Sequence, residues 1–468
     1  MSIDNVKLIL NVVEIFFVIY LVGYSTFLFL SVCVGSSLLY KDRKLKKLKD
    51  KVNKNIDIPI SILVPAYNED VTVCDTIKSL LQLDYSNYEI IVIDDGSSDN
   101  TSSSIIDCFD MKLVSKKIDG VIKTKGIKKV YETYEYKVNI TLVIKENGGK
   151  ADALNVGINF SNNPYFICMD ADTFLQRDSL ANIVRPVLED DETIAVGGMV
   201  RVSNDLTFKD GYPTSCNLPR NPLVGMQVLE YDRTFLGARI MFDKFNGNLI
   251  ISGAFGLFKK DIVVACGGYD TDTMGEDMEL VVKLHVFCRT NLISYKIKYA
   301  PDAICWSQAP ARLKDLSKQR RRWYLGLFQS MTKHHQLFFN YRYGLVSFIS
   351  YLYFLIYELF SPFIELIGIS VTILSFIFNL INVRYMIVFY LIYAFFGALL
   401  SVTSFYARIY VNNMKVSFID SVKVLFLCFF EITILRFYLS FIRMCSFFKY
   451  KNKKNNWGSI KRYKMNQS

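Results

Sequence analysis

Apolar and polar positions divide the chain into three stretches. Residues 8–39 and 343–445 are almost continuously apolar, whereas 56–335 mixes short apolar runs with polar segments. The first stretch is long enough to cross ~30 Å of hydrocarbon with some tilt. No small-residue cleavage site follows it. A basic block does, comprising Lys41, Arg43, Lys44, Lys46, Lys47, Lys49, Lys51 and Lys54. That order predicts a retained membrane helix rather than a secretory signal. Because Lys and Arg favour the cytoplasmic side, the N-terminus is expected outside.

The middle stretch switches between strand and helix periods. Apolar runs at 59–64 (PISILV), 89–93 (EIIVI), 140–144 (ITLVI) and 165–169 (YFICM) predict buried strands. Helical patterns lie near 70–83, 99–109 and 150–160. The alternation predicts an α/β, Rossmann-like domain with a mostly parallel sheet covered on both faces. Ligand-binding loops are then expected at the carboxyl ends of the strands. Residues 111–137 are Lys-rich and patternless, and are expected to form a surface insertion.

The last stretch predicts further spans. Residues 344–380 are too long for one helix and are interrupted by Glu358, Ser361, Pro362 and Glu365. They read as two spans joined by a tight turn. A further span is expected over 383–407. A weaker one is expected over 421–441, where Glu431 and Arg436 must face protein or a water-filled path. With the N-terminal helix the total is about five spans, an odd number that returns the basic tail to the cytoplasm.

Composition sharpens this picture. The chain has 468 residues, 51% hydrophobic and 15% aromatic, with a net charge of +11. The charge clusters beside apolar stretches, in the block above and over 449–454. It therefore reads as a topology and lipid-headgroup signal, not as a nucleic-acid surface. The 10 cysteines are scattered singly with no CxxC pair, which points to thiols in a reducing compartment. With only His285, His334 and His335 present, a histidine-based metal site or triad is not expected.

Candidate chemistry clusters at the predicted strand ends. Pro65-Ala66-Tyr67-Asn68-Glu69 ends the first strand, and Asp94-Asp95-Gly96-Ser97-Ser98-Asp99 ends the second. Either is also an ordinary turn or helix cap. Gly148-Gly149-Lys150 leads into a helix, where amides and a cation suit a diphosphate. Asp170-Ala171-Asp172 leaves a very apolar strand. Such a pair is costly unless it meets a hard cation such as Mg²⁺ or Mn²⁺. Gly275-Glu276-Asp277 opens a helix, where acids suit the dipole and one of them suits a general base. Gln319-Arg320-Arg321-Arg322-Trp323 lies on an amphipathic segment before the apolar third. It reads either as an interfacial anchor or as an Arg for phosphate with an indole for a sugar face.

In this order the series DDGSSD, GGKADALN, DAD, SGAFG, GED and QRRRW resembles the family 2 glycosyltransferases with a GT-A fold. The resemblance is to processive membrane synthases of cellulose, mixed-linkage glucan, hyaluronan, chitin and poly-N-acetylglucosamine, and covers roughly 58–330. It implies a membrane helix over 1–40, a basic linker over 41–57 and a GT-A domain over 58–312. An interfacial segment over 313–340, about four helices over 341–448 and a basic tail over 449–468 follow. It further implies that Asp94 and Asp95 contact the nucleotide, with Pro65, Tyr67 and Glu69 around the base. Lys150 lies on the diphosphate, Asp170 near the donor sugar, and Asp172, with Asp170, on the metal. Asp277 is the implied general base beside Glu276. Ser252 and Gly253 frame the acceptor, and Gln319, Arg322 and Trp323 mark where acceptor and pyrophosphate meet. Many relatives have Thr where this chain has Gly275, a departure that bears on the linkage.

The expected activity is inverting transfer from a UDP-hexose to a growing β-linked polysaccharide. The chain would sit in the plasma membrane with its catalytic domain cytoplasmic. Partners are the donor, the polymer, the bilayer and possible accessory export subunits. The donor leans slightly to UDP-glucose and a β-glucan, the alternative being UDP-N-acetylglucosamine and a poly-N-acetylglucosamine or hyaluronan-like product. A non-processive transfer to a lipid carrier is the competing reading, and the QRRRW string argues against it. A transferase-like scaffold without activity is the third, and intact Asp95, Asp172 and Asp277 argue against that.

Overall fold

The computed structural model describes residues 3–52, 57–116, 120–215, 217–378, 380, 382–411 and 416–448. The predicted basic tail, and the side chains of most of the basic block, lie outside the described residues. The chain opens with a long helix, α1 (Ile3–Val52). Then follow β1 (Ile60–Ala66), α2 (Val73–Leu80), β2 (Tyr88–Asp94), α3 (Thr101–Phe109), β3 (Lys112–Val114) and β4 (Ile127–Thr133). Next come β5 (Ile140–Lys145), α4 (Lys150–Phe160), β6 (Tyr165–Cys168), β7 (Phe174–Leu175), α5 (Ser179–Glu189) and β8 (Thr193–Val202). A small hairpin of β9 (Phe208–Lys209) and β10 (Tyr212–Pro213) precedes α6 (Pro222–Arg233) and α7 (Arg239–Asp243). The domain closes with β11 (Gly256–Lys259), α8 (Lys260–Ala265), α9 (Glu276–Thr290), β12 (Lys296–Ser307) and α10 (Leu313–Lys333). The apolar third holds α11 (Ser361–Ile377), α12 (Val383–Val411), α13 (Phe418–Phe430) and α14 (Arg436–Met444).

Ten strands form one sheet in the order β3-β4-β5-β2-β1-β6-β11-β8-β12-β7. Its centre, β5-β2-β1-β6, is parallel. β1 and β2 are buried at every position, which is why their sequences are continuously apolar rather than alternating. Two apolar layers flank the sheet. Ile77, Leu80, Ile105 and Leu180 pack on one face, and Leu154, Ile158, Val263 and Leu284 on the other. The register sets Ala66 opposite Asp94 and Asp94 opposite Ile144. Three strands therefore end level, and their following loops share one edge.

One expectation about the sheet needs correction. The supposed insertion over 111–137 contributes β3 and β4, which extend the sheet antiparallel from β5. Ile127, Lys128 and Lys129 are exposed. A charged edge strand shows no apolar alternation because it needs none, and charge there blocks further pairing. β11, antiparallel to both β6 and β8, likewise had no separate signal.

The described residues contain two helices long and apolar enough to cross a membrane, 30 residues over Val12–Lys41 and 28 over Val383–Tyr410. Ile15, Ile19 and Val22 on α1 and Phe389, Ile392 and Phe395 on α12 are exposed, a larger apolar surface than water-soluble proteins usually present. The predicted pair of spans over 344–380 is instead two helical pieces, Val346–Leu359 and Ser361–Ile377, bent by 47°. Pro362 lies in the first turn of the second piece, where its missing N–H costs no helical hydrogen bond. The weak span over 421–441 is α13, a π-helical turn over Glu431–Leu435 and α14. It is not among the helices with enough length and apolarity to cross.

Candidate active site

The site is built from two acidic halves. In the first, Asp94 is 2% exposed and accepts from the Ser97 amide at 2.8 Å and from the Ser102 hydroxyl. Asp95 is fully buried. Its carboxylate meets Lys145 Nζ at 2.5 Å, the Gly148 amide at 2.9 Å and the Gly149 amide at 2.7 Å. Lys145 also pairs with Asp152 at 2.7 Å. The chain's own donors thus occupy Asp95, which clamps the glycine loop in front of Lys150. Asn68, at φ 55°, donates its amide to Ser97 and accepts from the Ser98 amide at 2.8 Å. The Glu69 amide donates to Thr101 and its carboxylate accepts from Thr72. Tyr67 is half-buried beside them, while Pro65 is buried within β1.

The second half converges on Lys150, the first residue of α4. Its Nζ lies 2.5 Å from Asp170 and 3.3 Å from Glu276, and donates to the Gly253 carbonyl at 3.4 Å. Burial would lower the ammonium pKa, but Asp170 and Glu276 outweigh it and raise the value. Asp277 accepts from the Met278 amide at 2.8 Å and the Gly253 amide at 3.3 Å. Burial, followed by repulsion from Glu276, raises its pKa against the pull of Lys150. A Cβ on Gly253 would come within 2.9 Å of Lys150 Nζ and 3.5 Å of Asp277 Cβ, so glycine is what lets Asp277 and Lys150 approach. Asp172 is 4% exposed at the end of β6.

Helix α10 closes the site. A Cβ on Gly275 would lie 2.9 Å from Gly326 Cα, so two glycines bring the helix backbone against the turn that carries Asp277. Arg320 is held by Glu230 in a bidentate pair at 2.6 and 2.7 Å, and its guanidinium lies 4.7 Å from the Trp323 ring. Arg322 and Trp323 remain exposed.

A cavity of about 440 Å³ is lined by Lys150, Asp170, Asp172, Ser252, Gly253, Glu276, Asp277, Gln319, Arg322 and Trp323. It continues past Tyr353, Phe354 and Tyr357 to Tyr393 and Arg436. Pro65, Tyr67, Glu69, Asp94 and Asp95 lie outside this lining, on the neighbouring strand ends. Sequence reasoning missed Glu230 and Arg239, which also line the cavity; neither belongs to a motif, and Glu230 meets Arg320 across 90 residues. A wider groove of about 1090 Å³ lies on the other side of the Gly275 turn. Its Lys283 and Lys333 already pair with Glu279.

Among the described residues no three His, Cys, Asp or Glu side chains form a metal cage. Asp170 and Asp172 nevertheless suit a hard cation that takes one or two carboxylates and completes its shell with phosphate and water.

Two family models match the chain: "Glycosyl transferase family 2" over residues 61–265 and "Glycosyl transferase family group 2" over 165–406. A poly-β-1,6-N-acetyl-D-glucosamine synthase of Staphylococcus aureus is 33% identical over 312 residues, covering 66% of this chain and 64% of that protein. The Staphylococcus epidermidis protein of the same name is 34% identical over 269 residues, covering 57% and 54%. The chain therefore spans less than two thirds of the length of these curated relatives. In structure it is similar to a mannosyltransferase of Pyrobaculum calidifontis, solved with GDP-Man and Mn²⁺. The TM-score is 0.51 at 19% identity, over 83% of this chain and 98% of that one. This likeness shows a shared fold.

Proposed function

Because the chain belongs to the family 2 glycosyltransferases, we propose that it is a processive inverting synthase that polymerises UDP-N-acetylglucosamine into a β-linked poly-N-acetylglucosamine. The sequence leaned towards UDP-glucose and a β-glucan. That lean gives way to its alternative, because the staphylococcal relatives are named poly-β-1,6-N-acetyl-D-glucosamine synthases. The observation that carries the reading is one cavity in which Lys150, Asp277, Arg322 and Trp323 meet and which runs on among tyrosines.

The chemistry follows from that arrangement. Asp277 takes the proton of the acceptor hydroxyl as its oxygen bonds to the anomeric carbon. The bond from that carbon to the diphosphate oxygen breaks on the opposite face, so an α-linked donor gives a β-linkage. Lys150 and Arg322 hold the departing diphosphate, a use of fixed positive charge where negative charge grows. A Mg²⁺ or Mn²⁺ on Asp172 and Asp170, when bound, supplies further neutralisation there. Trp323 offers a flat apolar face to the acceptor ring. Asp95 acts through the Gly148–Gly149 loop that it clamps, and Tyr67 and Asp94 flank the uridine side.

In the same reading Val12–Lys41 and Val383–Tyr410 sit in the plasma membrane, with the sheet domain cytoplasmic and the N-terminus outside. The polymer leaves along the cavity, with any accessory export subunits on the outer side. Purified protein in nanodiscs with Mg²⁺ or Mn²⁺ should release UDP from UDP-N-acetylglucosamine without a lipid acceptor. The product should yield to a hydrolase specific for β-linked N-acetylglucosamine. UDP release only from UDP-glucose, or only with a lipid phosphate present, would defeat this reading.

A further inference from the structure

The arginines lining the cavity fall into two groups. Arg233 pairs with Glu431 at 2.8 and 2.9 Å, Arg320 with Glu230, Arg436 with Glu365 at 2.6 Å, and Arg443 approaches Glu358 at 3.9 Å. Each is part of a charge-balanced structural contact. Among the described residues, Arg239 and Arg322 are the two cavity arginines without a carboxylate in ion-pair range. Arg322 belongs to the QRRRW string. Arg239 belongs to no motif.

Arg239 opens α7 and is half-buried. Its guanidinium donates to the Ile250 carbonyl and lies 5.7 Å from the Phe235 ring. That carbonyl takes only one of the five N–H donors the guanidinium carries. Burial pushes its pKa down, the reverse of Arg320, which Glu230 holds up against burial. An unbalanced guanidinium is costly inside a protein unless something supplies acceptors.

Position indicates what supplies them. Ile250 lies on the same segment as Gly253, whose amide bonds Asp277. Phe242, one turn along from Arg239, has its ring 5.5 Å from Tyr353 and 6.0 Å from Phe354. Arg239 thus stands between the base and an aromatic wall. Unpaired donors beside aromatic rings match a sugar, which offers oxygen acceptors at its rim and C–H groups on its face.

Resting on the glycosyltransferase reading, we propose that Arg239 binds the acceptor. Its guanidinium donates to hydroxyl or amide-carbonyl oxygens of the saccharide unit between Asp277 and the wall of Phe242, Tyr353 and Phe354. The test uses full-length protein in nanodiscs and a soluble N-acetylglucosamine oligosaccharide as primer. Arg239→Gln should raise the primer KM by about tenfold or more, the scale of a lost charged hydrogen bond. Donor KM should stay within about twofold. Arg239→Lys, which keeps the charge, should fall between them, and melting curves for both variants check folding. A de-N-acetylated primer separates the two acceptor groups: if the amide carbonyl is the partner, wild type should bind it as poorly as Arg239→Gln binds the acetylated primer. An unchanged primer KM in both variants, or equal losses for donor and primer, overturns the assignment. Wild type that turns over no nucleotide sugar defeats the glycosyltransferase reading instead.

Discussion

Two acidic turns look alike in the sequence and behave in opposite ways in the fold. Asp94-Asp95 closes β2, and Glu276-Asp277 opens α9. In the first turn every carboxylate is answered by the chain itself: Lys145 and two glycine amides hold Asp95, while Ser97 and Ser102 hold Asp94. In the second, Glu276 and Asp277 share the surroundings of Lys150 with Asp170, and all face a cavity. The difference lies in what surrounds them: Asp94 and Asp95 are enclosed by their donors, whereas Glu276 and Asp277 open onto a cavity that a ligand can enter. Glu279, two residues beyond Asp277 on the same first turn, makes the contrast local. Burial would raise it, but the His334 hydrogen bond and the charges of Lys283 and Lys333 bring it down to about 2. Both residues feel the same helix dipole, so the neighbours decide the difference.

The comparison breaks first at Asp277. Asp277→Asn should cut polymer synthesis by about a thousandfold or more while UDP binding persists, as removal of a general base requires. Synthesis assays paired with UDP titration calorimetry decide it, and retained synthesis would remove Asp277 from that role. Asp95→Ala should do the reverse of a catalytic change and unfold the domain more easily. Lys145 keeps Asp152, but it and the Gly148 and Gly149 amides lose an acceptor, which should cost about 1–3 kcal/mol, read as a lowered denaturant midpoint.

Glu279 sharpens the contrast at a smaller scale. Its folded pKa of about 2 lies below the unfolded value of about 4.3, so it stabilises the fold above that value and loses the effect as pH falls through 2. Glu279→Gln should therefore cost roughly 3 kcal/mol near neutral pH and little near pH 2; equal losses at both would refute the ion-pair origin. Asp277 carries the opposite sign. Its raised pKa means that the ionised form is a burden near neutral pH and the protonated form is not. Asp277→Asn should thus melt slightly higher than wild type at neutral pH, the gain fading below about pH 3.9, where the unfolded chain is also protonated. In the wild type, the acid limb of synthesis should sit above the ordinary carboxylate range, since the base must be ionised.

Much of this was legible beforehand. The runs PISILV, EIIVI, ITLVI and YFICM all lie in strands of the sheet centre, because strands buried on both faces must be continuously apolar. Lys150, Asp170, Asp172, Glu276, Asp277, Arg322 and Trp323, picked from motifs, line one cavity. The antiparallel edge was not legible, since β3 is short and β4 begins with exposed charged positions. Nor was the 47° bend, because the same apolar run fits a hairpin or a broken helix.

The order of apolar runs, glycines and acids along the chain was enough by itself to determine a mostly parallel α/β sheet and its ligand edge, and the motif series added the resemblance to a GT-A fold. Which acids are enclosed and which open onto the cavity was decided only by the tertiary structure. Saturation depends on donors arriving from elsewhere in the chain, as Lys145 does for Asp95 across 50 residues and Glu230 for Arg320 across 90. Local sequence sets what a residue can offer, and the fold sets which partner reaches it first.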